Sequence, residues 1–176
     1  MIMHPGQQLL LPANPVFIWI SLLGALMLNM LMNMGLWGRA AWMPDLLAVV
    51  LVFWGVHQPL RIGVGVAFVF GLAMDVHQGA LLGQHALAYT VLGFLAMSMH
   101  RRLLWFALPK QAVQILPLFA AAHVLSLLVR LLAGERFPGW AYLLAPAIES
   151  VLWPLVSVLL LAPQRRAPDP DANRPL

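Results

Sequence analysis

The chain contains no cysteine and very little charge. The missing cysteines exclude disulfides, thiolate nucleophiles and cysteine metal sites. Only 9% of the 176 residues are charged, ten Lys and Arg against six Asp and Glu, whereas soluble domains carry about 25%. The basic residues form no stripe typical of nucleic-acid binding, so no nucleic-acid partner is expected. No polar segment is long enough to form a separate soluble domain.

Apolar residues make up most of what remains. The chain is 62% hydrophobic and has a positive mean hydropathy, while soluble domains are about 45 to 50% apolar. This composition predicts an all-α integral membrane protein. We expect residues 1–163 to form a single transmembrane helical domain, and the polar, proline-rich residues 164–176 to form a disordered cytoplasmic tail.

Apolar runs separated by helix breakers predict about six transmembrane helices. The first covers residues 15–37, which span about 35 Å as a helix and are too many for the apolar part of a signal peptide. The other predicted spans are residues 46–60, 62–76, 84–99, 113–133 and 142–161. The second and third are only about 22 Å long, short of the roughly 30 Å of bilayer hydrocarbon, so they can be tilted, re-entrant or locally broken.

The basic residues orient these spans. With the N-terminus in the cytoplasm, seven basic residues lie inside, namely Arg61, Arg101, Arg102, Lys110, Arg165, Arg166 and Arg174. Three lie outside, namely Arg39, Arg130 and Arg136. This distribution obeys the positive-inside rule, and six spans then place both termini in the cytoplasm. Tryptophans that can anchor in the headgroup layer fall at predicted span ends: Trp37, Trp42, Trp105 and Trp140.

A row of mostly small residues recurs at every fourth position from the third span onward. It comprises Gly63, Ala67, Gly71, Asp75, Gly79 and Gly83. Residues four apart share a helix face, and small side chains let helices approach closely in lipid. Helix packing is therefore the favoured interpretation, and a ligand cleft is the alternative.

The carboxylates and the inner turn have structural interpretations beside functional ones. Asp75 is a candidate functional carboxylate, but we favour a role in capping a helix or accepting hydrogen bonds from the glycine-rich turn. Pro44 and Asp45 precede an apolar run, where Asp is a good N-terminal cap. Pro59 and Arg61 lie in the turn between the second and third spans, and Arg61 is a cytoplasmic anchor or a partner contact.

Two charges inside the last two spans are predicted to meet. Arg130 lies near the outer end of the fifth span, and Glu149 lies inside the sixth. Because a short loop makes these helices antiparallel neighbours, the sequence predicts an ion pair between them.

No pattern of catalytic or metal-binding residues is apparent. The histidines are scattered over several segments without the spacing of a zinc site, and the serines lack a nucleophile elbow. We expect no enzymatic activity, no metal and no cofactor.

A longer pattern runs through residues 44–95. It reads Pro44-Asp45, Phe53-Trp54, Pro59-x-Arg61, Gly63-x-Gly65-x-x-Phe68, Gly71, Asp75, Gly79, Leu82-Gly83 and Ala86-Leu87, and Leu152-Trp153-Pro154 lies in the last span. In order and spacing, this pattern resembles the rod shape-determining membrane protein family MreD. Phe53 stands where the family more usually has a tyrosine.

The resemblance implies a non-enzymatic scaffold or regulator of bacterial cell elongation in the inner membrane. It would help to form the rod shape by assembling lateral-wall peptidoglycan synthesis. The implied partners are the bitopic protein MreC, the actin-like MreB, and the synthase pair of RodA and a class B transpeptidase. The implied fold is that of the substrate-binding subunits of vitamin transporters. In this view the small-residue groove holds a partner's helix, and the basic loop from His100 to Lys110 faces the filament or anionic lipid of the bilayer.

Two other functions remain open on the sequence alone. The chain can be the substrate-binding membrane subunit of a small-molecule transporter, with a pocket near Asp75 and the outer loops. It can also be a structural membrane protein without a defined partner.

Overall fold

The computed structural model describes residues 13–34 and 42–164, which form six α-helices and no strand. The α-helices are α1 (Pro15–Asn33), α2 (Leu46–His57), α3 (Val64–Gln78), α4 (Gln84–Leu104), α5 (Leu108–Leu132) and α6 (Ala145–Leu161). A short 3-10 helix, Trp140–Leu144, leads into α6, and another, Ala162–Gln164, follows it. The predicted all-α architecture with six helices is confirmed. Trp37, Arg39 and the predicted tail beyond residue 164 lie outside the described residues.

Several helix boundaries differ from the prediction. α2 ends at His57, because the chain turns at Gln58 and Pro59 rather than continuing to residue 60. α4 extends five residues beyond the predicted end at residue 99, to Leu104. Arg101 and Arg102 lie in its last turn, where positive charge complements the helix dipole. α5 begins at Leu108, with Pro109 in its first turn, a position that tolerates proline because its missing N–H has no partner there.

Three segments are long and apolar enough to cross a membrane. Within the described residues these are Pro15–Asn33, Leu108–Leu132 and Trp140–Gln164, while α2 and α3 are shorter apolar helices. Large apolar side chains such as Ile20, Val69 and Val151 are exposed on the bundle surface. This surface suits lipid, in which apolar side chains need no burial.

The short helix α2 occupies the centre of the bundle. Every residue from Leu47 to Val56 is buried. α1, α4 and α6 pack against it, and α3 and α5 complete the surrounding set through their contacts with these helices. At about 18 Å, α2 is too short to span the bilayer, but its neighbours shield it from lipid along its whole length.

Small residues bring α3 and α4 into close contact. A Cβ atom on Gly71 would lie 2.3 Å from the Ala86 Cα, and one on Gly93 would lie 3.3 Å from the Ala67 Cβ. Helix packing, the favoured interpretation of the small-residue row, is thus confirmed at Ala67 and Gly71. The expectation that this groove holds a partner's helix is wrong at Gly71, because the protein's own α4 already fills it.

Three aromatic residues of the family pattern join α2 to its neighbours. The Phe53 ring centroid lies 5.0 Å from that of Trp54 and 6.1 Å from that of Trp153, which is on α6. The Trp54 indole N–H donates to the Ser21 hydroxyl on α1 at 2.8 Å. The Trp153 indole N–H donates to the Gln111 side-chain oxygen on α5 at 3.1 Å. Because each buried indole has an acceptor, these large side chains stabilise the core without leaving a polar group unpaired.

A polar chamber as the candidate functional site

A polar chamber of about 410 Å³ lies at one end of the bundle. There α1, α3 and α5 end while α2, α4 and α6 begin, so all six helices reach it. The polar side chains that line it include Asp45, Gln84, Tyr89, His123, Arg130 and Glu149. These polar groups, from α4, α5, α6 and the N-cap of α2, converge on one cavity. We call this end of the molecule the chamber end.

Asp45 ties the start of α2 to two other helices. Its Oδ1 accepts the Ala48 backbone N–H at 3.0 Å, which confirms the predicted N-terminal cap. The same oxygen accepts the Asn29 amide of α1 at 2.9 Å, and Oδ2 accepts a short hydrogen bond from the Tyr89 hydroxyl of α4. Pro44, the residue before it, also lines the chamber. Asp45 is therefore both a cap and a tertiary contact.

Glu149 is completely buried on α6 beside Asp45 and His123. Its Oε1 accepts the Asp45 backbone N–H at 2.9 Å and lies 3.4 Å from the His123 Nε2 atom of α5. The predicted ion pair between Arg130 and Glu149 is wrong, since the Arg130 Nε donates to Glu135 at 2.9 Å. Arg130 is seven residues beyond His123, about 10 Å further along α5, and so lies at a different depth from Glu149.

Asp75 holds the start of α4 through its carboxylate. It accepts the backbone N–H groups of Gly83 at 2.8 Å, His85 at 2.7 Å and Ala86 at 3.3 Å. The His85 Nδ1 atom lies 2.8 Å from the same carboxylate. The predicted capping and turn role is confirmed, because these N–H groups would have no partner within the helix. Gly79 and Gly83 have φ angles of 61° and 104°, in the left-handed region that favours glycine.

The other predicted site residues lie at the opposite end of the bundle. Pro59 is in the turn between α2 and α3, and Gly63 is the N-cap residue of α3. The Arg61 guanidinium donates to the Ala13 carbonyl oxygen at 3.1 Å and so joins this turn to the start of α1. Together with three exposed cations of the α4–α5 region, Arg61 defines what we call the basic end: Arg61, Arg101, Arg102 and Lys110.

The chamber contains residues that sequence reasoning missed. Asn29, Tyr89 and His123 were not predicted to act together, although each lies in a helix half that points toward the chamber end. The available signal was the recurrence of polar residues at similar depth in several spans. The pairing itself depends on how neighbouring helices are rotated and shifted, which the residue spacing within one helix does not report.

The chamber supports recognition by hydrogen bonds and charge. Within the described ranges, no group of three or more His, Asp or Glu side chains is placed to hold a metal ion. Asp45 and Asp75 accept hydrogen bonds from backbone N–H groups at helix starts, and Arg130 forms an ion pair with Glu135. Glu149 and His123 are titratable groups that face each other inside the cavity.

Comparison with known proteins identifies the family. The profile of the rod shape-determining protein MreD family matches residues 13–162. The rod shape-determining protein MreD of Haemophilus influenzae is 25% identical over 154 residues, which cover 84% of this chain and 93% of that relative. No solved structure gives a significant match. The chain therefore belongs to the MreD family, and it is a multi-pass membrane protein with a role in rod shape determination.

Proposed function

We propose that this protein is a non-enzymatic scaffold of the cell-elongation machinery that helps to assemble lateral-wall peptidoglycan synthesis in the bacterial inner membrane. The observation that carries the proposal is the family match over residues 13–162, nearly the whole described chain. The structure supports it in one respect: Asp45 and Asp75 are used to hold helices together, as in a rigid platform for other proteins.

The proposed orientation places the basic end in the cytoplasm and the chamber end outside. Arg101, Arg102 and Lys110 are exposed, and the turn between them carries Trp105, which is 89% exposed. Exposed cations beside an indole ring suit the anionic headgroup layer of the cytoplasmic leaflet. The same cations would be available to an MreB-like filament, and both chain termini would lie on this side.

A partner's transmembrane helix has a candidate docking surface on α1 and α3. α4 covers Gly71, whereas Gly65 is exposed on the outer face of α3 and has open space around its Cα. Together with Trp19, Val66, Val69 and Phe70 it lines an apolar groove of about 230 Å³. We propose that the single helix of an MreC-like protein packs here, since small residues allow close helix contact in lipid.

The test is purification of the tagged protein from its native membrane in mild detergent, followed by mass spectrometry. We expect an MreC-like protein in stoichiometric amount, and RodA with its class B transpeptidase at lower yield. Gly65→Leu, which fills the groove, should reduce recovery of the MreC-like protein at least fivefold. Gly24→Leu is the matched control, because Gly24 is also exposed and has open space around its Cα, but lies outside the groove.

The result that contradicts the scaffold is a protein that restores rod shape in deficient cells while capturing none of these partners. Equal capture of the MreC-like protein by Gly65→Leu and Gly24→Leu would reject the docking surface but not the scaffold function. These two outcomes separate the function from the position of its interface.

A second candidate function is supported by the chamber. A cavity of about 410 Å³ lined by polar groups is large enough for a small metabolite, as the substrate-binding subunit of a transporter would require. The same purification distinguishes this candidate: a retained metabolite and a transport partner, without elongation proteins, would replace the scaffold proposal.

A further inference from the structure

Two acceptor atoms in the chamber have no hydrogen-bond partner among the described residues. They are the Oε2 atom of Glu149 and the Oε1 atom of Gln84. Both side chains line the cavity, and their exposed fractions are 0% and 2%. A buried acceptor left without a donor lowers stability, and it does so more strongly if it is charged. These two acceptors can therefore receive donors from a molecule bound in the chamber.

The His123 and Glu149 side chains are placed so that one proton can lie between them. The His123 Nδ1 atom lies 3.1 Å from the Phe119 carbonyl oxygen, which can only accept, so Nδ1 carries hydrogen. The Nε2 atom faces the Glu149 Oε1 atom at 3.4 Å. Contact between these two atoms is favourable when one proton lies on the Nε2 atom, which gives imidazolium with carboxylate, or on the carboxyl group, which gives imidazole with carboxylic acid. In both forms the pair has no net charge.

Among the described residues that line the chamber, Asp45 leaves a net negative charge. Its three donors, the Asn29 amide, the Ala48 N–H and the Tyr89 hydroxyl, are all neutral. Arg130, the one Arg or Lys among the described lining residues, is paired with Glu135. His85 faces Asp75. His77 carries its Nε2 hydrogen toward the Met30 carbonyl oxygen. An anion would therefore meet like charge, whereas a cation would be attracted.

These observations define the chemistry of an occupant. A complementary occupant brings positive charge and two N–H donors, and it fits a cavity of about 410 Å³, which is far larger than a metal ion. The rings of Tyr89, Phe119 and Tyr142 also line the chamber, and aromatic faces attract organic cations. We propose that the chamber binds one ammonium- or guanidinium-bearing group, with Glu149 Oε2 and Gln84 Oε1 as its acceptors. This site does not depend on the proposed scaffold function.

The test uses the full chain in detergent micelles with three small probes. Butylguanidinium and butylammonium carry the proposed group, and butylurea is a neutral near-isostere of the first. By isothermal titration calorimetry we expect both cations to bind saturably at about millimolar concentration or below, and butylurea to bind at least about tenfold more weakly. Equal binding of butylurea, or no saturation by either cation in the millimolar range, would overturn the proposal.

Variants then locate the site. Glu149→Gln keeps the size of the side chain but replaces one of its two acceptor oxygens with an NH₂ donor, and it should weaken cation binding by about tenfold or more. The matched control is the double variant Arg130→Gln, Glu135→Gln, which removes a neutral ion pair from the chamber and should change the affinity by less than about threefold. Unchanged affinity in Glu149→Gln would reject the site. If that variant does not fold, the comparison of butylguanidinium with butylurea decides the question.

The cationic group can come from a free small molecule or from a Lys or Arg side chain of a membrane partner. Native mass spectrometry of protein from its own membrane should detect a retained amine or guanidine in the first case. In the second, carbodiimide coupling should join Glu149 to a partner lysine, and Glu149→Gln should abolish that crosslink. Retention of an anionic molecule that competes with butylguanidinium would overturn the proposal.

Discussion

The two ends of the bundle use charged residues in opposite ways. At the chamber end, Asp45, Asp75 and Glu149 turn inward and accept hydrogen bonds from the starts of helices and from neighbouring side chains. At the basic end, Arg101 and Arg102 are exposed. The lesson is that charge at the chamber end should determine folding and recognition, while charge at the basic end should determine orientation and surface contacts.

The largest effect is expected at Asp75. Asp75→Ala removes the acceptor of three backbone N–H groups and of His85, so it should lower the free energy of unfolding by about 2 to 4 kcal/mol. Asp75→Asn keeps one acceptor oxygen and should lose about half as much. Reversible unfolding in mixed micelles gives both values. A loss below about 0.5 kcal/mol for Asp75→Ala would show that the chamber end does not depend on this cap.

A smaller effect is expected where Tyr89 meets Asp45. Tyr89→Phe should cost about 1 to 2 kcal/mol of unfolding free energy, because Asp45 loses a buried donor. In a double-mutant cycle with Asp45→Asn, the losses should fall short of additivity by about 1 kcal/mol. Additive losses would indicate that the two side chains do not interact in the membrane protein.

Arg130 provides a sharper test, because sequence and structure disagree about its partner. Since Arg130 and Glu135 are partly exposed, Arg130→Ala should cost no more than about 1 kcal/mol. Its effect should be additive with that of Glu149→Ala and non-additive with that of Glu135→Ala. Non-additivity with Glu149→Ala and additivity with Glu135→Ala would instead support an ion pair between Arg130 and Glu149.

The smallest effect on folding is expected at the basic end. Arg102→Ala should change the free energy of unfolding by less than about 0.5 kcal/mol, because the side chain is exposed and forms no salt bridge within the described ranges. It should nevertheless weaken retention of anionic lipid, about fivefold for one lost charge near the headgroups. Native mass spectrometry measures this retention. Arg136→Ala removes an exposed charge at the chamber end and should leave the retention of anionic lipid unchanged.

The sequence predicted local features better than contacts between helices. Asp45 directly precedes α2, Asp75 lies in the last turns of α3 shortly before the turn into α4, and the left-handed Gly79 and Gly83 mark that turn, so each could be found from its neighbours in the chain. The Gly71 contact followed from helix periodicity. The junction of Glu149, His123 and Asp45 could not, because it depends on the relative rotation and depth of α2, α5 and α6.

We proposed that the chamber end faces outside and the basic end faces the cytoplasm. Cysteine labelling in intact cells tests this orientation most directly. The chain has no cysteine of its own, so Gln78→Cys at the chamber end and Ala107→Cys at the basic end each supply a single thiol at an exposed position. With a membrane-impermeant maleimide, we predict that the first is labelled in intact cells and the second only after permeabilisation. Labelling of Ala107→Cys, but not of Gln78→Cys, in intact cells would contradict the account.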